Sequence, residues 1–224
     1  MAIFVDAGTT YTKIVTVGED VSTLMPYFQH EFGDKKYFIL PSKMFRKLNL
    51  NITKSCGHMG GICENEIVAM ANGAKSIVDD ESTILDLGSR DAKWIKFKNK
   101  KFADMDWNTS CASSTGATVE MLLKFYDIHS DDLKFCIEKY IVNCGIFGLE
   151  KIMDDIASGT SADIAVSKFV HGIAYNAWSF AKKPEKIYLS GGFCNNMCFV
   201  DSLEHYCNVV PLGQFVLCEG LMNE

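Results

Sequence analysis

One pattern occurs twice in this chain and limits its fold more than any other feature. An apolar run ends in Asp, any residue follows, then Gly and a small residue, and an alternating strand containing a Lys comes next. The first copy runs through Ala2-Ile3-Phe4-Val5-Asp6, turns at Ala7-Gly8-Thr9-Thr10, and resumes over residues 12–17 with Lys13. The second runs through Thr83-Ile84-Leu85-Asp86-Leu87-Gly88-Ser89 and continues to Phe97. Each copy reads as a strand, a tight turn and a return strand. A repeated supersecondary unit points to a duplicated architecture: two α/β lobes, each carrying one hairpin.

The 224 residues, 48% hydrophobic and 22% charged, are enough for one or two ordinary globular domains. No apolar run approaches the length of a membrane span, so no membrane role is expected. The N-terminus lacks the basic and apolar regions of a secretion signal, and a cytoplasmic location is expected. A net charge of −6 with dispersed Lys and Arg argues against nucleic-acid binding. The basic group at 96–101 reads as a solvated hairpin. Nine cysteines, an odd number in a reducing compartment, do not suggest a disulfide framework.

Between the two copies, strands are predicted over 23–29 and 36–40, and a helix over 64–78. Helices dominate afterwards, over 117–126, 131–142, 147–157 and 161–181. In the second of these segments the apolar residues Leu133, Cys136, Ile137 and Ile141 would share one helix face. The stripe of 161–181 would be Ile164, Phe169, Ile173, Ala177 and Phe180. A buried strand over 186–189 leads into Ser190-Gly191-Gly192 and a helix to about residue 206. The lobes are expected at 1–78 and 79–224, with the C-terminal helix a candidate to cross back to the first.

A turn glycine lets backbone approach a phosphate closely, and successive N–H groups with Thr hydroxyls can cradle it. The Asp at the strand end can hold water on hydrated magnesium. One such hairpin is also ordinary turn chemistry, but two copies and a third Gly turn at Gly191-Gly192 form an ordered set. In that order they resemble the actin/hexokinase-like ATPases, whose ribonuclease H-like fold is a duplicated pair of lobes with a nucleotide cleft between them.

Two cysteine segments narrow the resemblance. Asn108-Thr109-Ser110-Cys111-Ala112-Ser113-Ser114-Thr115-Gly116 resembles the Cys and Gly-Thr-Gly segment of the iron–sulfur activators of 2-hydroxyacyl-CoA dehydratases and benzoyl-CoA reductases. Val142-Asn143-Cys144-Gly145-Ile146-Phe147-Gly148-Leu149-Glu150 resembles their second Cys segment. The resemblance implies that Cys111 and Cys144 from each of two subunits hold one four-iron four-sulfur (4Fe-4S) cluster per homodimer. It also implies Mg2+ and ATP or ADP as cofactors, with Asp6, Asp86 and Asp91 as catalytic candidates. Nucleotide contacts would come from Gly8, Thr9, Thr10, Lys13, Gly88, Ser89, Thr115, Gly116, Gly191, Gly192, Asn195 and Gln214. The implied partners are a ferredoxin or flavodoxin upstream and an acyl-CoA dehydratase or reductase-type iron–sulfur enzyme downstream. Each cysteine precedes a predicted helix, where free N–H groups favour a thiolate.

Ser89 and Arg90 stand where the activators carry Gly and Gln, Ser114 replaces a Gly, and Met70 takes the place of a common His. These departures leave open a small-molecule kinase of the same superfamily, in which an Asp would activate an acceptor hydroxyl, and a nucleotide-sensing scaffold. Cys194 and Cys198, one helical turn apart, read as packing rather than metal ligation. Cys56, His58 and Cys63 form at most a partial ligand set in a glycine turn. His171 reads as a satisfied residue rather than a base.

Overall fold

The computed structural model describes residues 2–18, 20–58, 63–108, 116–142 and 145–223, with backbone alone at 145–147. The chain divides into two compact units, Met1–Asp79 with Gln214–Glu224, and Asp80–Gly213.

The first unit holds strands β1 (Ala2–Ala7), β2 (Tyr11–Val17), β3 (Phe28–Phe32), β4 (Lys35–Pro41) and β5 (Lys54–Gly57) in the order β3-β4-β2-β1-β5. Its helices are α1 (Ser42–Phe45), α2 (Glu66–Ala74) and α7 (Val216–Met222). β1 pairs antiparallel with β2 and parallel with β5. Ile3, Val5, Ile14, Phe38 and Leu40 pack with Met25 and Phe45 in one buried cluster. Val15 and Tyr37 join Phe215 and Cys218 in another. A strand buried on both faces reads as an uninterrupted apolar run, which is the pattern of residues 3–5.

The second unit holds β6 (Ser82–Leu87), β7 (Ala92–Lys98), β8 (Lys101–Asn108), β9 (Lys186–Ser190) and β10 (Asn208–Gly213) in the order β10-β9-β6-β7-β8. Helices α3 (Gly116–Tyr126), α4 (Gly145–Ala157), α5 (Ala162–Phe180) and α6 (Met197–Glu204) complete it. Its core is built on Leu85, Trp94, Phe169, Ile173, Leu189 and Phe199. Four strands recur between the units: β4-β2-β1-β5 corresponds in order and direction to β8-β7-β6-β9. The basic group at 96–101 is the β7–β8 turn, with Asn99 and Lys100 both at positive φ.

Four sequence expectations are corrected. The first strand after β2 lies at Phe28–Phe32 rather than 23–29, because residues 22–24 form a turn. Residues 214–224 group with the first unit, not with 79–213. Lys35 and Tyr37 of β4 both reach the Glu219 carboxylate, and Phe215 stacks edge-on against Tyr37, which fixes α7 to that sheet. Ile164 is half exposed, so the buried stripe of α5 runs instead through Ala165, Val166, Phe169, Val170, Ile173, Ala174 and Ala177.

The fourth correction is the largest. Residues 131–142 are not a helix: one 3-10 turn at Ser130–Asp132 gives way to extended chain, so Cys136 lies on no helix face. The local spacing is compatible with a helix, but α5 offers this backbone other partners. Ser167 Oγ accepts from Lys134 N at 3.2 Å, the Lys168 carbonyl accepts from Tyr140 N at 3.2 Å, and Asn176 Nδ2 donates to the Val142 carbonyl at 2.7 Å. A Cβ on Gly172 would lie 2.4 Å from the Tyr140 carbonyl, so only glycine admits the segment this close.

His171, fully buried, completes the lacing. Its Nδ1 lies 2.8 Å from the Cys136 carbonyl, which can only accept, so Nδ1 carries the proton and Nε2 accepts from Tyr206 at 2.7 Å. Burial pulls its pKa below the ordinary value, with nearby Lys139 and His205 acting in the same direction and the carbonyls opposing. The folded protein therefore holds His171 neutral, while the unfolded chain takes up a proton below about pH 6.5. Stability is full above that pH and declines as pH falls toward the lower folded value. Urea midpoints should drop more steeply from pH 7 to pH 5 in wild type than in His171→Gln; parallel slopes would refute the assignment.

Candidate functional site

In the first hairpin, Asp6 and Lys13 are cross-strand partners. Lys13 Nζ lies 2.8 Å from Asp6 Oδ2, and both groups are largely buried. Gly8 N donates to the Asp6 carbonyl at 3.1 Å. A Cβ at Gly8 would lie 2.4 Å from the Tyr11 carbonyl, so the turn closes only on glycine. Ser42 braces it from α1, donating to the Gly8 carbonyl at 2.7 Å and lying 2.9 Å from Thr12 Oγ1. Thr9 at the tip is exposed and Thr10 half-buried.

The second hairpin repeats the device with more partners. Asp86 and Lys93 occupy the same register, and each Lys stands seven residues after its Asp. Lys93 is buried, 3.8 Å from Asp86 Oδ1 and 3.6 Å from Asp91 Oδ2, so one ammonium serves two carboxylates. Ser190 Oγ donates to Asp86 Oδ2 at 2.7 Å, and the Trp107 indole donates to Asp91 Oδ2 at 2.6 Å. Gly88 N donates to the Asp91 carbonyl at 2.9 Å. The first two N–H groups of α3 dock on the same turn, Gly116 N on the Gly88 carbonyl at 3.1 Å and Ala117 N on that of Ser89 at 3.0 Å. A helix N-terminus leaves such donors for outside acceptors.

Each hairpin is flanked by a parallel strand that ends in a left-handed glycine. β9 sets Ser190 beside Asp86 and turns at Gly191, φ 93°; β5 sets Cys56 beside Asp6 and turns at Gly57, φ 87°. Cys56 Sγ lies 4.0 Å from Asp6 Oδ1. Burial, and then the Asp6 charge, push its thiol far up.

No family model matches the chain. It is 21% identical over 197 residues to the (R)-2-hydroxyglutaryl-CoA dehydratase activating ATPase of Acidaminococcus fermentans, a match covering 79% of this chain and 76% of that one. The solved activator of the 2-hydroxyisocaproyl-CoA dehydratase from Clostridium difficile, with bound ADPNP, superposes with a TM-score of 0.76 at 19% identity, covering 98% of this chain and 92% of that one. The chain is similar in sequence and in fold to the dehydratase activators. Component A of the A. fermentans (R)-2-hydroxyglutaryl-CoA dehydratase gives a TM-score of 0.73 at 17% identity, covering 98% of this chain and 95% of that one. The fold is that of the actin/hexokinase-like ATPases.

In this chain, Asp6, Gly8, Thr9, Thr10 and Lys13 come together in the first unit. Asp86, Gly88, Ser89, Asp91 and Gly116 come together in the second, with Gly191 beside Asp86. Gly192 and Asn195 are exposed on the 3-10 turn after β9, and Arg90 is exposed at the hairpin tip. Gln214 follows β10 and groups with the first unit. Cys111, Cys144 and Thr115 lie outside the described residues. Among the described residues no group of three or more His, Cys, Asp or Glu is placed to hold a metal ion, and no helix is long and apolar enough to cross a membrane.

Burial raises the thiols of Cys194 and Cys198 to about 11, and both sit in the core of the second unit. Sequence reasoning missed Ser42, Cys56 with Gly57, Trp107 and Ser190. The Lys spacing was available as a signal for the ion pairs. Nothing local marks Trp107, whose partner is set by strand register.

Proposed function

We propose that this chain is an ATP-driven activator that passes one low-potential electron to an enzyme of acyl-CoA dehydratase or benzoyl-CoA reductase type. The observation that carries the reading is the duplicated Asp–Lys hairpin, each copy closed by glycine and flanked by a left-handed glycine, on the fold of an activator with ADPNP bound. Asp6, Gly8, Thr9, Thr10 and Lys13, together with Asp86, Gly88, Ser89 and Asp91, would serve the terminal phosphates. The carboxylates would hold Mg2+ through its water shell, as that ion prefers. Thr115, Gly116, Gly191, Gly192, Asn195 and Gln214 would complete the nucleotide contacts. Asp86, fixed by Ser190, and Asp91, fixed by Trp107, are the groups suited to orient the attacking water.

The reading includes a cluster shared between two subunits. Four thiolates are its usual complement. Cys56, Cys194, Cys198, Cys207 and Cys218 are all pushed up by burial, which disfavours the thiolate a metal needs. Cys111 and Cys144, the cysteines of the two segments that resemble those of the activators, are the ligands proposed, two per chain, and a symmetric homodimer would supply the other pair. The bound 4Fe-4S cluster would supply the one-electron redox change, with a ferredoxin or flavodoxin as electron source in the cytoplasm.

Iron and sulfide analysis under anaerobic conditions tests this. Wild type should carry about four irons per dimer, and Cys111→Ala and Cys144→Ala should each lose most of them. Full iron in either variant refutes the ligand assignment. A colourless wild type after reconstitution that phosphorylates a small hydroxyl compound establishes the kinase instead.

A further inference from the structure

Trp107 lies outside every turn and glycine motif, yet it touches two charged groups of the second hairpin, Asp91 and Lys93. Its indole N–H donates to Asp91 Oδ2 at 2.6 Å, while its ring centroid lies 5.2 Å from Lys93 Nζ. Trp107 and Lys93 are cross-strand partners in the β7–β8 pair, so strand register itself places the ring. The edge of the indole therefore holds the carboxylate and its face meets the ammonium. Oδ2 of Asp91 is taken up twice, by Trp107 and by Lys93 at 3.6 Å. The other oxygen lies over the turn: a Cβ built on Gly88 would stand 2.9 Å from Asp91 Oδ1.

We propose that Trp107 is the positioning residue of this site, fixing the Asp91 carboxylate so that Oδ1 is presented over the Gly88 turn to the water that attacks the bound nucleotide. The inference rests on the nucleotide reading above. An Asp side chain with neither oxygen held samples several rotamers, and each lost hydrogen bond widens that sampling. A positioned base or water-orienting group works only within hydrogen-bond reach of the reacting water, so the cost of freeing it falls on turnover rather than on binding.

The experiment uses full-length protein with 5-fluorotryptophan in place of its three tryptophans. Trp107→Phe keeps the ring over Lys93 and removes only the donor. It should lower ATP turnover about tenfold while leaving nucleotide affinity within about twofold of wild type. Because Trp107 acts through Asp91, the substitution should cost nothing further in an Asp91→Ala background. The Trp107 fluorine resonance, assigned by its absence from Trp107→Phe, should shift in Asp91→Ala while those of Trp94 and Trp178 stay in place. Wild-type turnover in Trp107→Phe, or full additivity with Asp91→Ala, overturns the proposal. A wild type that binds no ATP by calorimetry refutes the nucleotide reading and, with it, the water-positioning role; the Asp91–Trp107 tie is then judged by the resonance alone, and an unmoved signal in Asp91→Ala refutes that tie.

Discussion

Alanine at Gly220 is expected to destabilise the first unit by at least about 3 kcal/mol, an overpacking cost at the upper end of the usual range. Helices α2 and α7 cross at Gly73 and Gly220. A Cβ at Gly220 would stand 1.7 Å from the Ala69 carbonyl and 2.8 Å from Gly73 N. One at Gly73 would stand 1.9 Å from the Val216 carbonyl. All of these neighbours are helix backbone, so no flexible side chain can swing away. The helices must separate, and separation breaks the packing that holds α7 to β4. Gly73→Ala should cost a similar amount, and the double variant less than the two costs added, since the helices part only once. Denaturant midpoints measure all three; a Gly220→Ala protein as stable as wild type would mean the crossing is looser than described.

Replacing Lys93 by methionine is expected to cost about 3 kcal/mol, the loss typical when one partner of a buried ion pair is removed. The Lys93 side chain is 4% exposed, and it compensates Asp86, 9% exposed, together with Asp91, 21% exposed. Its removal leaves two carboxylates close together with Ser190 and Trp107 as hydrogen-bond donors but without that ammonium. Lys13→Met breaks a single pair in which the ammonium is 18% exposed, and should cost less. If Lys93→Met proves no more costly than Lys13→Met, the shared-ammonium account fails.

Much of this was legible in the chain, and the reason is local. An Asp at a strand end, a Gly two residues on and a Lys on the return strand fix a hairpin whatever surrounds it, and both copies fold that way. The helices after β8 announce themselves by spacing and by stops such as Gly159, which takes φ 100°. What stayed hidden was decided by partners distant in sequence. Residues 133–142 have helical spacing, but Ser167, Lys168, His171 and Asn176 compete for their backbone. Cys56-Gly57 reads as a fragment of a metal motif until β5 is seen lying beside Asp6, as β9 lies beside Asp86. Trp107 becomes part of the site only through register across two strands. Residue type marked the hairpins, and tertiary pairing marked what supports them.

The buried thiols have a use beyond packing. Cys56 and Cys218 are sealed in the first unit, Cys194 and Cys198 in the second, all held in the protonated, slow-reacting form. An alkylating reagent meets each thiol only when its own unit opens. Labelling kinetics followed cysteine by cysteine would thus give two separate opening free energies from a single sample, with no probe added to the protein.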